Sequence, residues 1–267
     1  MTGSVAMVFV STDEGPVLLS ALESLFSASI DRSLEVIVVD NASVDGARDE
    51  IARRWPGVKI LVRTKNHGLP SNLNHGITAS SSQFVMLCNS DLIFGESSVE
   101  NLARFLDEHP RAGIAAPKLL SPKGEVRPSA RRWYTVPVLL ALRGPWRNLA
   151  GRLRMVQRNL YEDWDYRGPL QVDWVPCPAT MMRRAALDEV GFMDERFRLY
   201  FDDVDISLRM HRGGWEVWCV PSAEVVHLEQ RASVTPFSKA WRWHLASLLK
   251  FWWKHRSLRP RPSAARR

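Results

Sequence analysis

The sequence predicts an α/β protein on a Rossmann-like, mostly parallel central sheet flanked by helices. Three observations carry that expectation. Short β-rich runs alternate with helical ones through the first half of the chain, and the turns that follow several of these runs collect Asp, Asn, Ser and Gly. The third is bulk: 267 residues, 45% hydrophobic with 9% aromatic, can bury a sizeable core.

Taken in order, Val5 to Val10 reads as a strand and Val17 to Phe26 as a helix, with Leu18, Leu22 and Leu25 on one face. Glu35 to Val39 is a second strand, followed by a helix over Ala47 to Arg54. Val58 to Val62 is a third strand, Ser71 to Ala79 a helix and Gln83 to Cys88 a fourth strand; Val99 to Leu106 is then helical and Gly113 to Ala116 a short strand. Such alternation means parallel strands joined by right-handed crossovers. The second half is less regular. It holds a basic, Trp-bearing stretch from Arg127 to Arg158, the run Trp174 to Arg184, a short helix near Ala185 to Val190, and strands around Glu216 to Val220 and Val225 to His227.

In sheets of this kind ligands sit beyond the carboxyl ends of the strands. The second strand ends in Asp40-Asn41-Ala42-Ser43-Val44-Asp45-Gly46, the third leads to Asn66-His67-Gly68, and the fourth ends in Asn89-Ser90-Asp91. One such cluster is ordinary turn chemistry; three at one sheet edge favour a site. No G-x-G-x-x-G follows a strand and no G-x-x-x-x-G-K-[ST] occurs, which argues against a dinucleotide oxidoreductase and a P-loop ATPase. The densest polar feature is Asp202-Asp203-Val204-Asp205. Three carboxylates in four positions repel one another, so they mark either a reactive site or a helix start, and capping explains one Asp better than three.

The net charge of +7 is local. Nine Lys or Arg and no acid fall between Lys239 and Arg267, and eight Arg with no acid fall between Glu125 and Glu162; the remainder holds 19 bases against 29 acids. Nucleic acid or an anionic membrane would attract such patches. Four of the eleven Trp lie in the C-terminal segment, where a helix from Trp241 sets Trp241, Leu245, Leu248, Leu249 and Trp252 on one side and Ser247, Lys250 and Lys254 on the other. That pattern suits a helix lying in a bilayer interface or one packed on the domain with a solvated outer face. No apolar run reaches the roughly 20 residues of a membrane span, the first ten residues show no signal-peptide pattern, and Cys88, Cys177 and Cys219 form neither a disulfide framework nor a zinc pattern, as expected of a reducing cytoplasmic setting.

Asp40-Asn41-x-Ser43-x-Asp45-Gly46, Asn66-x-Gly68 with Asn72-x-Asn74-x-Gly76, Asn89-x-Asp91, Arg183-Arg184, Gly191-Phe192-x-Asp194-Glu195-x-Phe197, Asp202-Asp203-x-Asp205, Gly214-Trp215 and His227 occur in that order. Together they resemble the inverting nucleotide-sugar glycosyltransferases with the GT-A fold, and within them the bacterial rhamnosyltransferase-like branch, over residues 5 to 235. The resemblance implies that Asp91 and His227 ligate a divalent cation, Mn²⁺ or Mg²⁺, and that Asp40 reads a pyrimidine base. Asn41, Asp45, Asn66, Gly68, Asn72, Asn89 and Ser90 would line the donor site. Asn89 stands where many members have Asp and is expected on the ribose or nucleotide. Asp203 is the implied general base, Asp202 beside it is expected to hold acceptor hydroxyls or tune its charge, and Asp205 to cap the following helix. Trp174, Cys177, Asp202 and Arg209 are the expected acceptor side. Two departures stand out: Cys177-Pro178-Ala179 replaces the usual Gly-Ala facing the donor sugar, and Ser11-Thr12-Asp13 the usual Thr-Tyr-Asn. With no paired base evident, Cys177 reads as a small buried thiol rather than a nucleophile.

The expected protein is therefore a metal-dependent inverting glycosyltransferase acting in cell-envelope glycan synthesis. Rhamnose from dTDP-rhamnose is the first donor expectation, with a lipid-linked or polysaccharide acceptor, a peripheral position at the inner face of the cell membrane and no nucleic-acid partner. A basic nucleic-acid-binding protein and a non-catalytic sugar-nucleotide-binding homologue are the alternatives. The expected organisation is a domain over residues 1–235, divided into a nucleotide-binding half at 1–116 and an acceptor half at 117–235, then a basic amphipathic helix at 236–259 and a disordered tail at 260–267.

Overall fold

Val5, Met7 and Phe9 alternate with Ala6 and Val8 along a strand that is buried on both faces, the signature of a sheet covered by helices on each side. In the computed structural model, which describes residues 3–143, 147–198, 200–228 and 239–256, this strand lies inside one ten-stranded sheet. The chain runs β1 (Val5–Ser11), α1 (Gly15–Phe26), β2 (Leu34–Asp40), α2 (Ala47–Arg54), β3 (Lys59–Val62), α3 (Leu69–Thr78), β4 (Phe84–Asn89), β5 (Leu92–Phe94), α4 (Ser98–Glu108), β6 (Ala112–Leu120) and β7 (Val126–Arg127). It continues with α5 (Val136–Arg143), α6 (Arg147–Ala150), α7 (Arg154–Asn159), β8 (Leu170–Gln171), β9 (Ala179–Arg183), α8 (Arg184–Val190), α9 (Asp202–Arg212), β10 (Glu216–His227) and α10 (Lys239–His255).

The strand order is β3-β2-β1-β4-β9-β6-β10-β5. β3, β2, β1 and β4 are parallel neighbours; β9 is antiparallel to both β4 and β6, and β10 runs parallel to β6. Six of these seven strands therefore point one way and β9 alone among the seven is reversed. One edge of the sheet thus receives the carboxyl ends of β1 to β4, the end of β10 at His227, and the segment leading into β9. Two apolar layers close over the sheet: Val5, Met7 and Phe9 pack with Leu18, Leu22, Leu25, Val99, Leu102 and Leu106 of α1 and α4, while Val8, Ile37 and Val39 pack with Leu73, Ile77, Leu187, Ile206 and Met210 of α3, α8 and α9.

The expected first-half elements are present to within a few residues. Four differences have local causes. β6 runs on past Ala116 through Pro117 and Lys118, so the expected boundary at 116 falls inside a strand and both halves share one sheet. β10 is a single strand where two were expected, because Pro221 and Ser222 sit in a register shift between Val220 and Glu224 that the strand passes through. β9 has the sequence ATMMR, which lacks alternation because both faces are covered. Helices α5 to α7 occupy a stretch read only as basic and Trp-bearing. The expected tail at 260–267 lies outside the described residues.

α3 approaches the sheet so closely that a Cβ at Gly76 would stand 2.2 Å from Val8 Cγ1 and 3.3 Å from Val39 Cγ2. Helix propensity alone would reward Gly76→Ala by about 1 kcal/mol. Overpacking at this contact is expected to outweigh it and lower stability by about 1–3 kcal/mol, read as a reduced urea midpoint; an increased midpoint would contradict the close approach.

Candidate active site

The carboxyl end of β2 delivers Asp40, which is 3% exposed. Its Oδ1 accepts the Ser43 amide at 3.0 Å, while Oδ2 makes no hydrogen bond and has Arg48 Nε 3.3 Å away as an ion partner. A buried carboxylate oxygen without a donor costs free energy unless a ligand supplies one. Asn41 is differently placed. Its Oδ1 accepts the His67 amide at 2.7 Å and its Nδ2 donates to Thr12 Oγ1 at 2.9 Å, so the side chain ties the loops after β1 and β3 together. Asp45 accepts from Gly15 N at 2.7 Å and Ala47 N at 3.1 Å, satisfying the first turns of α1 and α2. Both were expected on the donor; in the structure both side chains brace the loops beyond the strand ends.

Asn66 is exposed, Gly68 precedes α3, and Asn72 is buried inside it with Oδ1 unpaired. Asn74 joins α3 to the segment before α9, donating to Met193 O at 2.8 Å and accepting from Met193 N at 2.9 Å. At the end of β4, the Asn89 amide donates to Pro178 O at 2.7 Å, and Ser90 Oγ hydrogen-bonds Glu14. That first bond seats the Cys177-Pro178 segment against the Asn89–Asp91 turn.

Asp91 and His227, 136 positions apart in sequence, meet because β5 pairs antiparallel with β10: Leu92 is opposite His227, and Leu228 N donates to Asp91 O at 2.9 Å. His227 Nε2 lies 3.2 Å from Asp91 Oδ1, with both side chains partly exposed. An imidazole nitrogen beside a carboxylate oxygen at an open sheet edge suits a divalent cation whose other positions are filled by ligand oxygens and water. Among the described residues no three His, Cys, Asp or Glu gather into a group that could hold a metal ion.

α9 begins with the carboxylate cluster. Tyr200 and Phe201 enter it with φ of 66° and 65°, the left-handed region that costs non-glycine residues about 1–3 kcal/mol each and concentrates at functional turns. Asp202 is buried and Asp203 half-buried, with Asp203 Oδ1 accepting Val204 N at 2.8 Å. Burial pushes both carboxyls above the usual carboxylate range; the neighbouring Asp202 charge raises Asp203 further, and backbone amides and Arg131 offset this only in part. Burial, then the charges of Asp203 and Asp202, also hold the Cys177 thiol protonated, so Cys177 is wall rather than nucleophile. Cys177 feels both carboxyl charges and is next in sequence to Pro178, whose carbonyl holds the Asn89 amide.

Several expected positions are corrected. Trp174 is 4% exposed, packs with Phe197 and Phe201, and donates its indole N–H to Arg132 O at 3.0 Å, so it is core and not acceptor surface. Arg209 clamps its own helix to the preceding loop, donating to Asp205 Oδ2 at 2.8 Å and to the carbonyls of Val190, Gly191 and Phe192. Asp205 is not a cap. It lies inside α9 with no exposure, bound by Arg209 and, from α10, by Lys254 and His255, each 2.6 Å from Oδ1. Burial alone would raise its carboxyl, but hydrogen bonds from His255 and the Arg209 and Lys254 charges hold it below the usual range.

Sequence reasoning missed Arg131, whose guanidinium is itself desolvated and is the cation acting on Asp203. It was hidden in a basic stretch read as surface; the isolated bridge between Arg131 and Trp174 that turns it inward is a long-range pairing.

The family model described as "Glycosyl transferase family 2" matches residues 6–205, three quarters of the chain. The chain belongs to glycosyl transferase family 2. The glycosyltransferase is 31% identical over 244 residues to N-acetylglucosaminyl-diphospho-decaprenol L-rhamnosyltransferase of Mycobacterium tuberculosis, covering 85% of this chain and 76% of that protein. Its fold is that of GalNAc-T7, solved with UDP, GalNAc and Mn²⁺ (TM-score 0.69, 14% identity, 94% of this chain and 47% of that one). The mannosyltransferase PcManGT of Pyrobaculum calidifontis, solved with GDP-Man and Mn²⁺, is also similar (TM-score 0.60, 18% identity, 89% of this chain and 59% of that one). The chain thus spans about half the length of these solved relatives.

Because the fold raises the Asp203 carboxyl, it favours the uncharged form: that stability is present at low pH and lost as pH climbs through the raised value. Asp203→Asn is expected to raise Tm, each pKa unit being about 1.4 kcal/mol or roughly 2–4 °C in a chain of this size. The gain should widen with rising pH while turnover falls by about 10²- to 10⁴-fold; scanning calorimetry across pH checks it, and an unchanged or lower Tm at alkaline pH would count against the buried-carboxyl assignment.

Proposed function

We propose that this glycosyltransferase moves a sugar from a nucleotide diphosphate donor to an acceptor hydroxyl by a single inverting displacement, with Asp203 as general base. What carries the reading is the raised, half-buried Asp203 carboxyl beside the Cys177-Pro178 wall, which abuts the turn holding Asp91. A base near neutral pH must be a carboxyl lifted above its ordinary value, and this one is.

Asp40 Oδ2, which accepts no hydrogen bond within the protein, can accept the N3–H of a uracil or thymine, orienting the nucleoside at the end of β2. The acceptor oxygen forms its bond to the anomeric carbon as the bond from that carbon to the diphosphate oxygen breaks. Its proton passes to Asp203, and the diphosphate leaves carrying the electron pair. Asp202, 6% exposed, sets the field around Asp203 and can hold an acceptor hydroxyl. Asp91 and His227 would hold a divalent cation, Mn²⁺ or Mg²⁺, which supplies Lewis-acid charge to the departing diphosphate.

L-Rhamnose from dTDP-rhamnose and a lipid-linked acceptor are the finer proposal, supported by the similarity to the mycobacterial L-rhamnosyltransferase. An acceptor in a membrane calls for docking at its surface. α10 packs on the domain with His244, Ser247, Phe251 and His255 turned inward, while Leu245, Leu249, Trp252 and Trp253 are exposed. The Trp241 side chain lies outside the described residues. α5 shares a core cluster with α10 through Leu139 and exposes Val136 and Leu140, and exposed Arg242, Lys250 and Arg256 flank the apolar side. A groove of about 260 Å³ between Arg196, Phe197, Lys250, Trp253 and Lys254 adds cationic rim to aromatic wall. This combination fits an anionic bilayer surface, and no described helix is long and apolar enough to cross one.

The donor site is tested by thermal stabilisation with a panel of nucleotide sugars, with and without Mn²⁺. One donor should stabilise the wild type more with metal, and Asp91→Asn and His227→Ala should lose the metal-dependent increment while Asp203→Asn keeps it. An increment unchanged in both ligand variants would refute their assignment. In vesicle flotation at low salt, the protein should float with phosphatidylglycerol-containing vesicles, and Leu249→Glu with Trp253→Glu should leave it at the bottom; equal flotation of the double variant would remove α10 from the docking surface.

A further inference from the structure

The matched family model ends at residue 205, so α10 lies wholly beyond it, yet α10 holds the first turn of α9 from two sides. On one side it packs on the left-handed dipeptide. The His244 ring is 5.1 Å from that of Tyr200 and 5.2 Å from that of Phe201, and the Phe251 ring is 5.5 Å from Phe201. On the other side Lys254 Nζ and His255 Nε2 are each 2.6 Å from Asp205 Oδ1, and Lys254 also reaches Asp194 Oδ2 at 2.6 Å. Asp202 and Asp203 stand between these two grips.

The proton arrangement at His255 follows from its partners. Arg212 can only donate, so at 2.9 Å the His255 Nδ1 must accept, which leaves the proton on Nε2 to donate to Asp205. The ring is thus fixed at both nitrogens, and a fully buried carboxylate receives three directed donors from Arg209, Lys254 and His255. A left-handed Tyr-Phe pair does not persist without surroundings that over-determine it. Those surroundings come largely from α10.

We infer that Lys254 and His255 are positioning residues for Asp203: by anchoring Asp205 while His244 and Phe251 brace Tyr200 and Phe201, they fix the pitch of the first turn of α9 and so the direction of the Asp203 carboxylate. This rests on the reading of Asp203 as general base. It predicts that donor binding, built on Asp40 and the Asp91–His227 pair at the sheet edge, does not depend on α10, whereas the chemical step does. The helix that carries the exposed Leu245, Leu249, Trp252 and Trp253 is then the same one that sets the catalytic base.

The test uses the full chain and the sugar nucleotide that most stabilises the wild type, with nucleoside diphosphate release followed at steady state and active protein counted by donor-binding stoichiometry. Lys254→Met and His255→Leu should keep donor KM within about twofold while kcat falls about tenfold or more, the scale of loss that small misplacement of a reacting group produces. Lys254→Arg, which keeps the charge, should recover kcat to within about threefold of wild type. The inference is overturned if kcat per donor-binding site in the two variants stays within about twofold of wild type, if KM and kcat change in parallel, or if Lys254→Arg is no better than Lys254→Met. Asp203→Asn separates the two levels: if it retains wild-type turnover, the base assignment itself falls, whereas an inactive Asp203→Asn beside a fully active Lys254→Met removes only the role of α10.

Discussion

Two adjacent carboxyls, Asp202 buried and Asp203 half-buried, are drawn away from water at the start of α9, and the rest of the site is arranged around that cost. Burial raises both, the Asp202 charge raises Asp203 further and the Asp205 charge adds to Asp202, while backbone amides of the first turn lower both and the desolvated Arg131 offsets part of the rise at Asp203. The balance is what a general base at neutral pH requires: a carboxyl ordinary enough to lose its proton and perturbed enough to take one. Its local strain is visible in the left-handed Tyr200 and Phe201, and is held by aromatic packing from Tyr134, His244 and Phe251.

The sheet then does the gathering. Because the six long strands run one way, Asp40, the Asn89–Asp91 turn and His227 arrive at one edge, and reversed β9 begins there, bringing Cys177 and Pro178 up to Asn89. The short β5 runs back along β10 and brings the distant Asp91 and His227 within 3.2 Å of each other. Membership of glycosyl transferase family 2 and the shared fold with GalNAc-T7 are consistent with this arrangement.

Much of the first half was legible because its signals are local: Leu18, Leu22 and Leu25 mark a helix face, and clustered Asn, Asp and Gly mark strand ends. What the sequence hid is long-range. The indole of Trp174 and the guanidinium of Arg209 look like ligand-facing groups until their partners, Arg132 O and the Val190 to Phe192 carbonyls, are seen. Asn41 and Asp45 carry the right residue types yet are consumed by His67, Gly15 and Ala47 amides. Which side of α10 packs was open for a related reason: its side facing inward is largely polar, and the buried Asp205 on another helix makes that side the packed one. An amphipathic pattern tells that two faces differ, not which one meets the protein.

Carbon-13 NMR titration of the aspartate side-chain carboxyls, with Asp203→Asn used to assign the resonance, probes the desolvated pair directly. The account predicts that the Asp203 carboxyl titrates well above the ordinary aspartate value of about 3.9. A titration at or below that value would mean the carboxyl is solvated and charged at neutral pH, and would contradict its role as the base.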